Sequence, residues 1–168
     1  MTMNDMQQAP RARDAGAAPS GTGSSGAFEI RPLCDADAIR AAWPLVAQLR
    51  PHLDADALVA QLQRQMADGS FRAHVLQDAG VPRAYAGWRV HENLVYGRHL
   101  YVDDLVTDET VRSRGYGKAM LDWLKGEARR QGCRRLQLDS GTFRKDAHAF
   151  YLREGLRIEA FHFGIALG

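Results

Sequence analysis

The chain has 168 residues, 45% of them hydrophobic and 25% charged, with a formal net charge of +2. That length and ordinary composition fit one globular domain, and the near balance of charge gives no argument for a nucleic-acid partner. Two isolated cysteines, Cys34 and Cys133, supply neither a zinc motif nor a disulfide framework, no apolar run is long enough to span a bilayer, and the N-terminus lacks the apolar stretch of a secretory signal, so a cytoplasmic protein with reduced thiols is expected.

Residues 1–27 are rich in Gly, Ser, Ala, Gln and Pro and end in Gly21-Thr22-Gly23-Ser24-Ser25-Gly26. Such a segment cannot offset its own ordering entropy and is expected to be a disordered tail, leaving 28–168 as the domain. Phe28-Glu29-Ile30-Arg31 alternates as a short strand. Asp35 then reads as an N-cap for a helix with Ile39, Ala42, Trp43, Val46 and Leu49 inward, and Pro44 is expected to kink it. A second helix spans about Asp54 to Ala67, with Leu58, Leu62 and Met66 at helical spacing.

Three strands follow, over Ala73–Gln77, Arg83–His91 and His99–Thr107, separated by turn residues. Tyr116, Ala119, Met120, Trp123, Leu124 and Ala128 form the stripe of a long helix stopped by Gly132. Arg134–Asp139 reads as a strand. Ala147, Phe150 and Tyr151 mark a short helix ended by Gly155, and Leu156–Leu167 alternates as a last strand through Phe161, Phe163, Ile165 and Leu167. This order predicts an α/β (α+β) fold with a mixed, mostly antiparallel sheet. The strand–helix–strand unit from His99 to Asp139 is expected to be parallel with a right-handed crossover.

Between the third strand and the long helix lies Thr107-Asp-Glu-Thr-Val-Arg-Ser-Arg-Gly-Tyr-Gly-Lys118. A basic, glycine-rich loop opening a helix aims several free N–H groups at one point, where the helix dipole adds positive charge, and so suits a phosphate or diphosphate. Two nucleotide motifs fail there. The dinucleotide fingerprint lacks its third glycine, because Met120 stands in that place. The Walker loop has Arg112 for its first glycine and Ala119 for its hydroxyl.

What remains, Arg112-x-x-Gly115-x-Gly117 after a strand ending Asp-Leu-Val-Thr, resembles the acyl-coenzyme A loop of the GNAT N-acetyltransferase superfamily. Ala147-x-x-x-Tyr151 and Gly155-Leu156 resemble its downstream motifs, with Arg144 standing where Asn is common. The resemblance covers about Phe28 to Leu167. It implies a GNAT-like fold with a splayed parallel strand pair, and acetyl-CoA as co-substrate with no metal. It implies direct acetyl transfer to a primary amine; the motifs do not specify which, and because no appended domain would recognise a protein target, a small-molecule amine is expected. Pantetheine would pair with the backbone of Leu105, Val106 and Thr107, with the Leu105 N–H on the acetyl carbonyl. The diphosphate would lie on the N–H groups of Arg112, Ser113, Arg114, Gly115, Tyr116, Gly117 and Lys118. Arg144 would reach a phosphate.

The resemblance also makes Tyr151 the acid for the departing thiolate. The amine must lose its proton to a base or a water chain, and a carboxylate within hydrogen-bond reach could take it. Asp103 and Asp104 are adjacent in a strand and are expected on opposite faces. Asp103, sharing a face with Tyr101 and Leu105, ranks first and Asp104 second, ahead of His91, Glu92 and Asp139. Each aspartate could equally be a structural partner for an arginine. Cys133, the lone His148 and the three tryptophans read as structural. Competing functions are a non-catalytic acyl-CoA-binding sensor, a protein lysine or N-terminal acetyltransferase, and a nucleotide-binding protein. Many members dimerise, and the Phe-rich last strand offers an edge for a homodimer.

Overall fold

The computed structural model describes residues 28–167, and the segment expected to be a tail lies outside the described residues. In chain order the elements are β1 (Glu29–Pro32), α1 (Ala36–Ala47), α2 (Ala55–Met66), β2 (Phe71–Asp78), β3 (Val81–Asn93) and β4 (Gly97–Thr107). A short 3-10 turn (Glu109–Val111), α3 (Tyr116–Arg130), β5 (Leu136–Leu138) and α4 (Lys145–Arg153) complete them. The five strands form one sheet in the order β1-β2-β3-β4-β5. The first four are antiparallel neighbours, and β4 and β5 are parallel.

Local chemistry sets the helix starts. The Asp35 and Asp54 carboxylates accept from the N–H groups of Ala38 and Ala57, each at 2.8 Å, relieving one orphan donor apiece. α1 runs through Pro44 without a break, so the expected kink does not divide it. The forfeited hydrogen bond is tolerated because Ile39, Ala42, Leu45 and Val46 bury the helix face around it.

Alternation along the strands sends side chains to two cores. Val75 and Tyr85 pack with Ile39, Val46, Leu58 and Leu62 under α1 and α2. Their neighbours Leu76, Ala86 and Trp88 pack with Leu100, Val102, Met120 and Leu124 under α3. Trp88 and Cys133 are buried in the second core, and Trp43 packs against the first, as the structural reading of these residues requires. Gly155, at φ +88°, ends α4 in the left-handed conformation expected of a C′ glycine.

The last expected strand does not form. Residues 156–167 carry no strand, and Phe161, Phe163, Ile165 and Leu167 are 83–89% exposed. Alternation supplies a strand's pattern but not a ladder partner. The adjacent β5 is three residues long where six were expected, and among the described residues its only ladder is to β4.

Candidate active site

β4 and β5 run together for three residue pairs, ending at Val102 and Leu138. β4 continues to Thr107, whereas the other chain turns away through Asp139–Arg144 to α4. The edge of β4 from Asp103 to Thr107 therefore has no strand beside it on that side. The gap is a cavity with Val102–Leu105 on one wall, Leu138–Gly141 on the other, and Arg144, Ala147 and Tyr151 from the start and middle of α4. Ser140 Oγ is buried there with no hydrogen-bond partner, a group that a ligand amide or sulfur could satisfy.

Asp103 and Asp104 depart from the expectation of opposite faces. β3 Gly87 lies opposite Asp104 and Trp88 opposite Val102, so Asp103 has no partner residue on β3. This is a β-bulge, with two residues of β4 set against one position of β3. It breaks the period of two, and both carboxylates reach the same two cavities. Leu105, expected to share a face with Asp103, instead packs with the α3 core. Gly87 is the residue the bulge requires. A Cβ there would lie 2.6 Å from Phe71 Cζ and 3.1 Å from the Tyr85 hydroxyl.

Each carboxylate has a guanidinium partner. Arg50, just past α1, contacts Asp104 Oδ1 through Nε at 2.8 Å and Nη2 at 2.6 Å. Arg89 Nε donates to Asp103 Oδ2 at 2.8 Å. Arg50, Asp103 and Asp104 form the wall shared with a second cavity, between α1, α2 and the sheet, lined also by His52, Gln61, Gln65 and Tyr85. Beyond the bulge, the Tyr101 hydroxyl donates to Asp139 Oδ2 at 2.7 Å, and His162 Nδ1 lies 2.7 Å from the same oxygen. Burial first, and then the bond to Asp139, raises the pKa of Tyr101. His91 and Glu92 line neither cavity. His91 stacks on His99, and Glu92 pairs across the hairpin with Arg98.

Tyr151 is half-buried at the rim of the gap. Burial raises its pKa, against a smaller opposing influence of Arg144, so its phenol keeps its proton. His148 serves structure, its Nε2 lying 3.0 Å from the Gly141 carbonyl.

The loop at the far end of β4 has the conformation its sequence calls for. Ser113 (φ +65°) and Gly115 (φ +89°) are both left-handed, and Gly115 is the N-cap of α3 with no side-chain cap. The first intrahelical bond runs from Ala119 N–H to Gly115 O, which leaves the N–H groups of Tyr116, Gly117 and Lys118 unused by the helix. Gly117 abuts β4, where a Cβ would lie 2.9 Å from Thr107 Oγ1. Arg112 and Arg114 are exposed and form no ion pair among the described residues, while Lys118 pairs with Asp122 at 2.5 Å. Arg144 caps the start of α4 by position and lines the cavity. The structure thus brings the open β4 edge, the two aspartates and Tyr151 around one gap, with the loop at the far end of β4, where Gly117 abuts Thr107. Sequence reasoning missed Arg50, Arg89, Ser140 and His162, none of which lies in a motif. Tyr101 was visible only as a neighbour on the face of Asp103.

Comparison with known proteins bears on this geometry. The model of a family described as "Acetyltransferase (GNAT) family" matches residues 37–156. The uncharacterized N-acetyltransferase YhdJ of Bacillus subtilis (strain 168) is 35% identical over 122 residues, 72% of this chain and 86% of that protein. Glucosamine 6-phosphate N-acetyltransferase 1 of Oryza sativa subsp. japonica is 34% identical over 134 residues, 76% of this chain and 80% of that protein. Among solved structures, the aminoglycoside N-acetyltransferase AAC(6')-Iy in complex with CoA superposes with a TM-score of 0.74 at 17% identity. That match covers 84% of this chain and 96% of the other, and it is a likeness of fold.

Proposed function

The chain belongs to the GNAT acetyltransferase family, and on that premise we propose that it transfers an acetyl group from acetyl-CoA directly to the amine of a small molecule. The observation that carries the reading is the end of the β4–β5 ladder at Val102 and Leu138, beside a basic loop that opens a helix. The free β4 edge offers the backbone of Leu105, Val106 and Thr107 to the pantetheine amides. The N–H groups from Arg112 to Lys118 hold the diphosphate, and the side chains of Arg112 and Arg114 add charge. The CoA-bound solved neighbour and the fit of these parts support the assignment.

The amine arrives from the second cavity, whose wall of Asp103 and Asp104 attracts an ammonium group. One of these carboxylates, Asp103 ahead of Asp104, takes the proton that must leave nitrogen. The neutral amine attacks the thioester carbon, and the Leu105 N–H holds the oxygen on which charge develops. The carbon–sulfur bond then breaks, Tyr151 gives its proton to the departing thiolate, and the second proton, released from nitrogen as the amide forms, returns to the phenolate through solvent. The polar lining of His52, Gln61 and Gln65 suits a small hydrophilic acceptor. The rice relative's name, which gives an amino-sugar phosphate as its acceptor, supports that class.

One observation favours a second reading. Both candidate bases are paired with an arginine, as in a site that binds acyl-CoA without turning it over. Calorimetric titration with acetyl-CoA, followed by thiol release across a panel of small amines, separates the two. Binding with amine-dependent thiol release is the expected result. Binding without release on any amine means the sensor, and absence of binding removes both.

A further inference from the structure

We propose that the acceptor, given the acyl-transfer reading on which this rests, is a small amine carrying an anionic group, a carboxylate or a phosphate, only a few bonds from its nitrogen, and that Arg50 selects it. The starting observation is the polarity of the second cavity. Its β4 side carries Asp103 and Asp104. The helical side carries Arg50 and His52, from the link between α1 and α2, with Gln61 and Gln65 of α2, four residues apart and so on one face of that helix. All four offer N–H donors, and no Asp or Glu of α1, α2 or their link lines the cavity. A lone ammonium would use only one side of such a site.

The second observation is an ion pair left half open. Arg50 sets both Nε, at 2.8 Å, and Nη2, at 2.6 Å, on the same oxygen, Asp104 Oδ1. A fork closed on two oxygens would consume both partners. Here the bonds use two of the guanidinium's five N–H groups; the other three, and Asp104 Oδ2, have no partner among the described residues. Asp103 likewise gives only Oδ2 to Arg89. The Arg50 side chain is 43% exposed and that of Asp104 20%, so the accessible half of the pair is the cation. Free carboxylate oxygens and a free guanidinium edge thus stand side by side, and a molecule with opposite charges at its two ends satisfies both.

Position limits how far apart those charges can be. Arg50, Asp103 and Asp104 line the gap as well as the second cavity. The amine and the anionic group are therefore both held at the junction with the thioester site, within the span of one ion pair. That suits an α- or β-amino acid or a short aminoalkyl phosphate, and the cavity, about 300 Å³, is large enough for one. Asp103 takes the ammonium and its proton, as in the transfer step above, Arg50 takes the anion, and Asp104 holds Arg50 in place. A diamine is rejected, because its second ammonium meets Arg50.

The test is thiol release from acetyl-CoA by the full chain with acceptors in matched pairs: glycine against glycinamide and β-alanine against β-alaninamide for the carboxylate, O-phosphoethanolamine against ethanolamine for the phosphate. In at least one arm the anionic member should have a kcat/KM about tenfold or more above its neutral partner, and the arm with the larger ratio names the anionic group. Arg50→Met should bring that pair to within about twofold. If that variant does not fold, Arg50→Lys serves, because an ammonium spent on Asp104 leaves no fork for a second anion and the ratio should fall. Neutral amines turned over as well as their anionic partners overturn the anion site while acyl transfer stands, and a ratio that survives the loss of Arg50 overturns it as well. If no amine releases thiol, transfer itself fails, and calorimetry of the same pairs in saturating coenzyme A still reads the site. Preferential binding of the anionic member then supports it, and equal binding or none overturns it.

Discussion

Tyr151 has the properties an acid for a thiolate needs at neutral pH. It is half-buried and holds its proton, and it faces the gap between the splayed strands. Its neighbours there provide no alternative. Ser140 Oγ is too weak an acid, and Tyr101 is engaged with Asp139. Removing one hydroxyl from Tyr151 leaves the ring and its packing against Phe150 in place. Tyr151→Phe is therefore expected to lower kcat on the order of a hundredfold, while acetyl-CoA affinity and thermal stability hold. Steady-state thiol release paired with calorimetry checks this, and an unchanged kcat removes Tyr151 from the chemistry. The aspartates differ in kind. Each also anchors an arginine, Asp103 holding Arg89 and Asp104 holding Arg50.

Strand β4 carries most of the site, and its behaviour explains what could be read in advance. The loop Arg112–Lys118, the helix it opens and the Tyr151 helix were legible, because glycine positions and apolar periodicity are local signals. The gap between β4 and β5 was expected only through family resemblance, and its lining by Asp103, Asp104 and Tyr151 followed from that. The bulge was not legible. Nothing local distinguishes Asp103-Asp104 from two ordinary strand residues, and the cause lies across the sheet at Gly87, where Phe71 fills the space of a side chain. Arg50 and Arg89 were illegible for the same reason, being brought to the aspartates from 54 and 14 residues away. The bulge predicts the effect of Gly87→Ala. The new methyl must displace the ring of Phe71, which is 2% exposed and sits beneath the Arg89 guanidinium. Overpacking of this kind costs about 1–3 kcal/mol. It should appear as a lowered urea midpoint, together with a raised KM for the amine because Arg89 shifts against Asp103. A midpoint equal to wild type would mean that Phe71 yields freely and that the bulge does not depend on glycine.

The whole domain has a pH limit set by one residue wedged between β2 and α3. The Trp88 indole N–H donates to His74 Nδ1 at 3.2 Å, and the Trp123 ring lies 4.5 Å from the His74 ring. That geometry requires an unprotonated Nδ1, since a proton there would point at the indole N–H that donates to it. Burial lowers the His74 pKa from 6.5 to about 4; Glu127 on α3 opposes the shift and Arg72 on β2 adds to it. Between those two values the unfolded chain binds a proton that the folded chain refuses, so stability falls as pH drops through the window and levels off below it. Discounted for the ring's partial exposure, the loss is roughly 1–3 kcal/mol. It comes at higher pH than the acid loss from Asp122, whose carboxyl is held below its usual range by the hydrogen bond from Lys118. His74→Gln keeps an acceptor for Trp88 and does not titrate. Urea unfolding of wild type between pH 7 and pH 5 should show a falling midpoint, whereas His74→Gln should stay flat over the same range. Parallel slopes in the two proteins would assign the acid sensitivity to some other group.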